Sequence, residues 1–476
     1  MRCRATLMSR TVACVAWACL ACNPYVVGER ASPPSTCLGQ LQPLGGSASG
    51  GGVTNRSVTT ACARVALDPR GTPYVAWGDR SSGTNEVYLR RWDGQGWVGV
   101  GGSDADGGLS LGSGSGLDNG YRSCMGDVAF DDQGRAYATW ANYDGTQQSI
   151  YVRRWNGSSW EELGASARGT GVATTAFNWW PRLSVRPAGA AVVWSRASEV
   201  YLSWWDGSAW RQLAGSATFP GVSGAGSDAK LPVVVSGAND ELFVAWEEMR
   251  PGGATAVYLR RWNGSVWDEL NGSATGPGLS SSTGSAAFVS IAHTDNGPVV
   301  SWEQTETDGG VDVLLRRWDG AGWASATGVT LREAGLSRAP RRPKLAVGAE
   351  QELYVAWEQD EPAGTSVQLA RWTGSEWEHC GGSETLVATE VRSTWPVLAA
   401  TGDGHLALSW FEETAPGVLQ VFLAKGSVAP TGAAPSAGSY QAGAGCAVVP
   451  GSTLPLMAAL FVSSNLKKGN RKRRGT

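Results

Sequence analysis

Five acidic residues follow a recurring Trp in this 476-residue chain: Asp79, Glu247, Glu303, Glu358 and Glu412. Carboxylates repeated at one position of a rim would hold a cation or a basic ligand; as plain surface charges they would be solvated or pair with arginines nearby. A second set is aromatic. Tyr121, Phe177, Trp179, Trp180 and Trp395 stand just before a β-rich segment in several parts of the chain. Flat rings gathered at a channel mouth would stack on a sugar or a peptide side chain, or else fill gaps between neighbouring sheets. Catalytic signals are scarce: no Gly-x-Ser-x-Gly, His-Glu-x-x-His or phosphate-loop pattern occurs. His293 and His405 fall in short turns and His379 in an outer strand, away from the positions of a general base. Adjacent acids such as Glu247-Glu248 and Glu412-Glu413 fall short of the positional demand of a glycosidase pair. No cysteine–histidine spacing suits zinc, so neither a metal nor a cofactor is expected.

The elements that position these residues repeat. The run Val257-Tyr258-Leu259-Arg260-Arg261-Trp262-Asn263-Gly264-Ser265-Val266-Trp267 reads as two strands about an Asn-Gly turn, with a Trp on either side. Related Trp pairs five apart occur at 92/97, 155/160, 205/210, 318/323 and 372/377. A second series, Trp77, Trp140, Trp194, Trp246, Trp302, Trp357 and Trp410, ends a strand and recurs at spacings of 63, 54, 52, 56, 55 and 53. Each unit then holds four strands, a to d. Strand a resembles Arg64-Val65-Ala66-Leu67, strand b Tyr74-Val75-Ala76-Trp77, and strands c and d form the Trp-paired hairpin. With 65 Gly and 24 Trp, the composition suits short strands, glycine turns and indoles filling the space between sheets.

Seven b strands but six complete c–d hairpins leave one outer strand missing. Leu41-Gln42-Pro43-Leu44-Gly45-Gly46-Ser47 matches the d-strand ending, so the N-terminal segment supplies the fourth strand of the last unit. Pairing the two ends of the repeat region closes a ring and removes the open edge. The expected fold is all-β: a seven-bladed propeller of four-stranded antiparallel blades over residues 37–426. Unit length and feature order resemble kelch-type propellers, although Ala-Trp or Ser-Trp replaces the kelch Gly-Gly after strand b. The Trp-Asp-Gly turn also resembles the Asp-box of sialidases, one residue short. Antiparallel order places the a–b and c–d turns at one end and the b–c and d–a loops at the other. The latter loops are read as the longer ones, and binding sites favour such a face.

The flanks read as targeting segments. Arg2, Arg4 and Arg10 precede an apolar run from Thr11 to Ala21, which reads as a signal peptide over 1–21, with 22–36 as a linker. Cys19-Leu20-Ala21-Cys22 resembles a bacterial lipoprotein signal with Cys22 as the lipidated residue; ordinary cleavage nearby is the other reading. Residues 427–445 form a Pro/Gly/Ala-rich linker. Gly445-Cys446, an apolar stretch and a basic cluster over 446–476 resemble myxobacterial C-terminal sorting tails, with Cys446 carrying the anchor; a weak transmembrane anchor is the alternative. Outside these flanks, residues 22–445 hold 30 basic against 42 acidic side chains, a net −12 that argues against nucleic acid. Cys62 and Cys124 occupy similar repeat positions, which makes a bond between neighbouring units a candidate; spacing leaves the pairing open.

Export, anchoring and one loop-rich face point to a non-catalytic, monomeric propeller at the cell surface that binds a protein or glycan. The alternative is an extracellular polysaccharide hydrolase or lyase whose acids converge at the channel mouth; a structural envelope role is a third reading.

Overall fold

Strand b of each unit is apolar on both faces, as in Pro73–Asp79, where all seven residues are buried. Such a strand is stable only between two covering layers. The computed structural model supplies them by arranging seven four-stranded antiparallel sheets in a ring, each blade packed on its neighbours. It describes residues 39–110, 126–143, 148–173, 178–225, 228–280, 283–325, 331, 339–361, 364–382 and 392–427. These lie in a compact unit spanning 1–433; a second unit, 434–476, is outside the described residues. So are Cys22, Tyr121, Cys124, Phe177 and Cys446.

The inner strands of blades 1 to 7 are Ala61–Leu67, Asp127–Phe130, Asn178–Arg186, Asp228–Ser236, Ser285–Thr294, Pro340–Val347 and Ser393–Ala400. Blade 7 takes its outer strand, Gly39–Pro43, from the other end of the repeat region, where Gly39 pairs with Ser427 and Gln42 with Lys425. The seam continues past the strand. Ser47 is fully buried; its Oγ accepts from the Leu44 N–H at 2.8 Å and donates to the Leu423 carbonyl at 2.6 Å.

Seven tryptophans, one per strand b, form the core and none is more than 2% exposed. The hairpin tryptophans hold the blades to one another. Trp97, Trp160, Trp210, Trp267 and Trp323 each donate the indole N–H to a carbonyl of the preceding blade: Leu44, Val100, Leu163, Leu213 and Leu270, at 2.7–3.0 Å. Strand c adds a second bond between blades. Arg90, Arg153 and Arg260 donate to the Val53, Leu109 and Val222 carbonyls. One residue nearer the hairpin Trp, Arg154, Arg261 and Arg371 turn instead to an acid of their own strand d.

Two local expectations are corrected. The c–d connection has four residues between the paired tryptophans, because the Asp or Asn side chain folds back on the turn. Asp93 Oδ1 accepts from the Gln95 and Gly96 N–H groups, and only Gly94 takes a positive φ, 101°. The b–c loops are also short, because the ladder continues beyond the Trp: Met249 still pairs with Thr255, and Arg196 with Glu199. The long connections are therefore d–a, and their first halves are straps. Val53, Leu109, Val172, Val222 and Leu279 are buried and donate N–H to a strand-c carbonyl at 2.7–2.8 Å. A Cβ on the preceding glycine (52, 108, 171, 221 or 278) would collide with that carbonyl, so the Gly-apolar step is obligatory.

Ser47→Ala should test the seam. Losing a fully buried hydroxyl with two partners should cost about 1–3 kcal/mol, read as a lower urea midpoint at unchanged slope; an unshifted midpoint would show that ring closure does not limit stability.

Candidate functional site at the channel mouth

Six of the seven described inner strands are interrupted near their start, at the end of the ring where the d–a connections arrive. The ladder between strands a and b skips at Ala61/Arg64, Trp179/Arg182, Lys230/Val233, Ala287/Ser290, Arg341/Lys344 and Thr394/Val397. The residue at the skip takes a positive φ of 50–57° in every one of these blades: Cys62, Trp180, Leu231, Phe288, Arg342 and Trp395. In four of them a proline follows, namely Pro181, Pro232, Pro343 and Pro396. Proline has no N–H to lose from the ladder and is tolerated at such a bulge. A bulge re-aims side chains, and here three of the re-aimed groups meet.

Phe288, Arg342 and Trp395 come from blades 5, 6 and 7. The Arg342 guanidinium lies 4.2 Å from the Trp395 ring centre and 5.2 Å from that of Phe288. The two rings meet edge to face at 5.8 Å. Equivalent residues of three consecutive blades touch one another, so they converge toward the ring axis. Trp395 is 44% exposed, a large apolar surface left open beside Arg342 and Phe288. In blade 3, Trp179 and Trp180 pack on each other at 6.2 Å and keep part of their surface. The three described tryptophans of the sequence-derived aromatic set thus lie at the bulge level, in two groups.

The acids have other positions. Glu247, Glu303 and Glu358, each directly after the strand-b Trp, reach into the next blade and accept the N–H of the residue with positive φ: Phe288 at 2.6 Å, Arg342 at 3.1 Å and Trp395 at 3.1 Å. Glu358 also accepts from Thr394 Oγ1 and pairs with Arg342 at 2.5 Å. These carboxylates hold the strained backbone that presents Phe288, Arg342 and Trp395. Asp79 and Glu412 stand one residue later and accept the indole N–H of their own strand's Trp77 and Trp410, at 2.7 and 2.6 Å. Glu247, Glu358, Glu412 and Asp79 are buried. The rim they form is an internal latch rather than a solvated ring of charge.

Burial raises the affinity of Glu247, Glu303 and Glu412 for a proton. Glu303 and Glu412 are shifted upward by desolvation, and Glu247 is pushed up to about 7, despite the backbone N–H groups of Phe288 and Val289 and the nearby Lys230 and Lys344. Cys62 and Cys380 are each disulfide-bonded. Among the described residues no group of His, Cys, Asp and Glu is arranged to hold a metal ion.

Two features of this site have sequence signals that the Trp-based alignment passed over. The X-Pro step in strand a marks the bulge, and the alternation between first and second place after the Trp separates the bridging acids from the indole caps.

Glu247 makes stability depend on pH. The unfolded chain releases this proton near 4.5 and the folded chain near 7, so the contribution of the protonated form is complete below pH 4.5 and is lost as pH rises through 7. The loss should be on the order of 2 kcal/mol, and Glu247→Gln should flatten the profile between pH 4.5 and 7 in chemical denaturation. An unchanged slope would remove the assignment.

No protein family matches the chain, and no curated protein is similar to it. Solved structures share the general arrangement. One is an ulvan lyase of a polysaccharide lyase family, at 12% identity over 82% of this chain and 94% of that one, with a TM-score of 0.49. Another is a Dyadobacter fermentans protein of unknown function, at 11% identity, 79% and 96% coverage and a TM-score of 0.42. The Aleuria aurantia lectin is similar at 17% identity, 66% and 97% coverage and a TM-score of 0.39. At these values the reading of the site rests on this chain's own residues.

Proposed function

We propose that this chain is a non-catalytic binding propeller that takes a glycan at the mouth of its channel. The observation that carries the reading is Trp395: an indole 44% exposed, its backbone held by Glu358 and its face covered on one side by Arg342. A rigid ring of this kind offers the flat apolar surface that a pyranose face stacks on, and preorganisation lowers the ordering cost of binding. Trp179 and Trp180 provide a second surface in blade 3, far enough around the ring to favour a ligand longer than one sugar. Export and surface anchoring through Cys22 or Cys446, with a repeat whose architecture resembles that of kelch propellers, complete the proposal.

A polysaccharide hydrolase or lyase is the second reading, favoured by one feature: Glu247 holds its proton to about 7, as a catalytic acid would. Its Oε1 is, however, committed to the Phe288 N–H at 2.6 Å, which accounts for its position without chemistry.

A glycan array with the purified protein, beside Trp395→Ala and Trp179→Ala/Trp180→Ala, tests the first reading. Each variant should weaken binding roughly tenfold or more, the loss of about 1.5 kcal/mol of stacking. Equal binding by wild type and both variants would move the ligand away from the mouth, and release of reducing ends or unsaturated products from a bound glycan would favour the enzyme.

A further inference from the structure

Below the mouth, the position two residues past the bulge varies in charge and polarity from blade to blade. Each of these residues pairs with the residue preceding the strand-b Trp, which makes them equivalent: Arg64, Asp127, Arg182, Val233, Ser290, Lys344 and Val397. Three cations and one carboxylate thus stand at one level of the inner wall, in a chain whose body is otherwise acidic. Arg64 and Arg182 flank Asp127 in blades 1, 2 and 3, and Lys344 stands in blade 6.

None of the three cations forms a direct ion pair among the described residues: Asp127 acts on Arg64 and Arg182, and Glu247 on Lys344, only at a distance. Arg64 donates to its neighbour's carbonyl, Ala63 O, at 2.8 Å, and Arg182 repeats the contact with Pro181 O at 2.9 Å. Neither guanidinium forms an ion pair among the described residues, and Lys344 makes neither a hydrogen bond nor an ion pair there. The carboxylate is committed to backbone: Asp127 Oδ2 accepts from the Leu183 N–H at 3.0 Å and Oδ1 from its neighbour Val128 at 3.1 Å. All three cations lie deep in the ring yet keep accessible surface. Burial, then repulsion among the cations, lowers Arg182 to about 9 and Lys344 to about 7 against the opposing pull of Asp127 and Glu247, and burial lowers Arg64. Enclosed like charges without a direct ion pair are costly, and an oxyanion placed among them relieves both desolvation and repulsion.

We propose that this level is an oxyanion site, in which Arg64, Arg182 and Lys344 receive the carboxylate or sulfate ester of an acidic sugar whose ring stacks at the mouth. Two residues of strand separate the levels, roughly 6 Å along the wall, a distance suited to a sugar ring and its charged substituent. The sugar part rests on the glycan reading above; the oxyanion part does not.

The test has two arms. Inorganic sulfate is titrated into the full-length protein against chloride at equal ionic strength, following thermal stability and calorimetric heat. Sulfate should stabilise wild type saturably. Lys344→Met should raise the melting temperature in chloride, because a repelling charge is gone, and should weaken sulfate binding about tenfold. Arg182→Met carries the same test should Lys344→Met not fold, and Arg168→Met, an exposed cation elsewhere, should leave the response intact. In the second arm, an acidic oligosaccharide is compared with its neutral counterpart: wild type should prefer the acidic one about tenfold and Lys344→Met should not. A response to sulfate no greater than to chloride, or one that survives Lys344→Met and Arg182→Met, would overturn the site. Equal binding of both oligosaccharides without a sulfate response would overturn it while leaving the mouth intact. Sulfate binding without either oligosaccharide would restrict the site to free anions and overturn the acidic-sugar assignment.

Discussion

The ring depends on hydrogen bonds that cross from blade to blade at both edges of the sheets. A propeller blade cannot cover its own two faces, and hydrophobic packing between blades has no direction: it would tolerate sliding. The indole N–H of each described hairpin pair from Trp97 to Trp323 ends on a carbonyl of the preceding blade, and Arg90, Arg153 and Arg260 end on carbonyls of the preceding strap. These directional contacts set the rotation of one blade on the next, and that rotation sets where the inner strands point. Leu44 is included in this series, so the strand brought from the far end of the repeat region is stitched as any other outer strand is.

The inner wall turns the same logic to presentation. Bulges with positive φ at one level of six blades hold side chains away from the direction a regular strand would give them. Bulky residues in that conformation are strained, and in blades 5, 6 and 7 an acid from the preceding blade accepts the exposed N–H and offsets the strain. The blades without such an acid present Cys62, Trp180 and Leu231. Among the described bulges, those of Phe288, Arg342 and Trp395 are thus the ones whose backbone N–H is held by a carboxylate of the preceding blade.

Much of the architecture was legible in the chain because indole spacing is hard to produce by other means, and because Leu44-Gly45-Gly46-Ser47 repeats a unit ending out of place. Trp179, Trp180 and Trp395 were legible as aromatics at the start of strand a, although they lie within the strand, at its bulge, and not before it. The acids were legible as a recurring set but not in role: grouping every carboxylate after the Trp hides the one-residue offset by which Glu358 crosses to the next blade while Glu412 caps its own indole. The charged level was hidden for a different reason. Arg64, Arg182 and Lys344 are one residue per distant unit, and a net charge summed along the sequence reports an acidic body while the fold gathers its cations.

The seam of blade 7 has a mechanical consequence. Gly39 and Ser427 are antiparallel partners at the same end of their strands, so the segments flanking the ring leave from adjacent points. Tension applied between those segments would not load the strand pair in shear, with every bond sharing the pull. It would peel the outer strand one bond at a time, until the buried Ser47 hydroxyl and its contact with Leu423 meet the load. A ring tethered through both flanks would therefore yield at its own joint before any other blade felt the force, whereas one held by a single flank would transmit none of it.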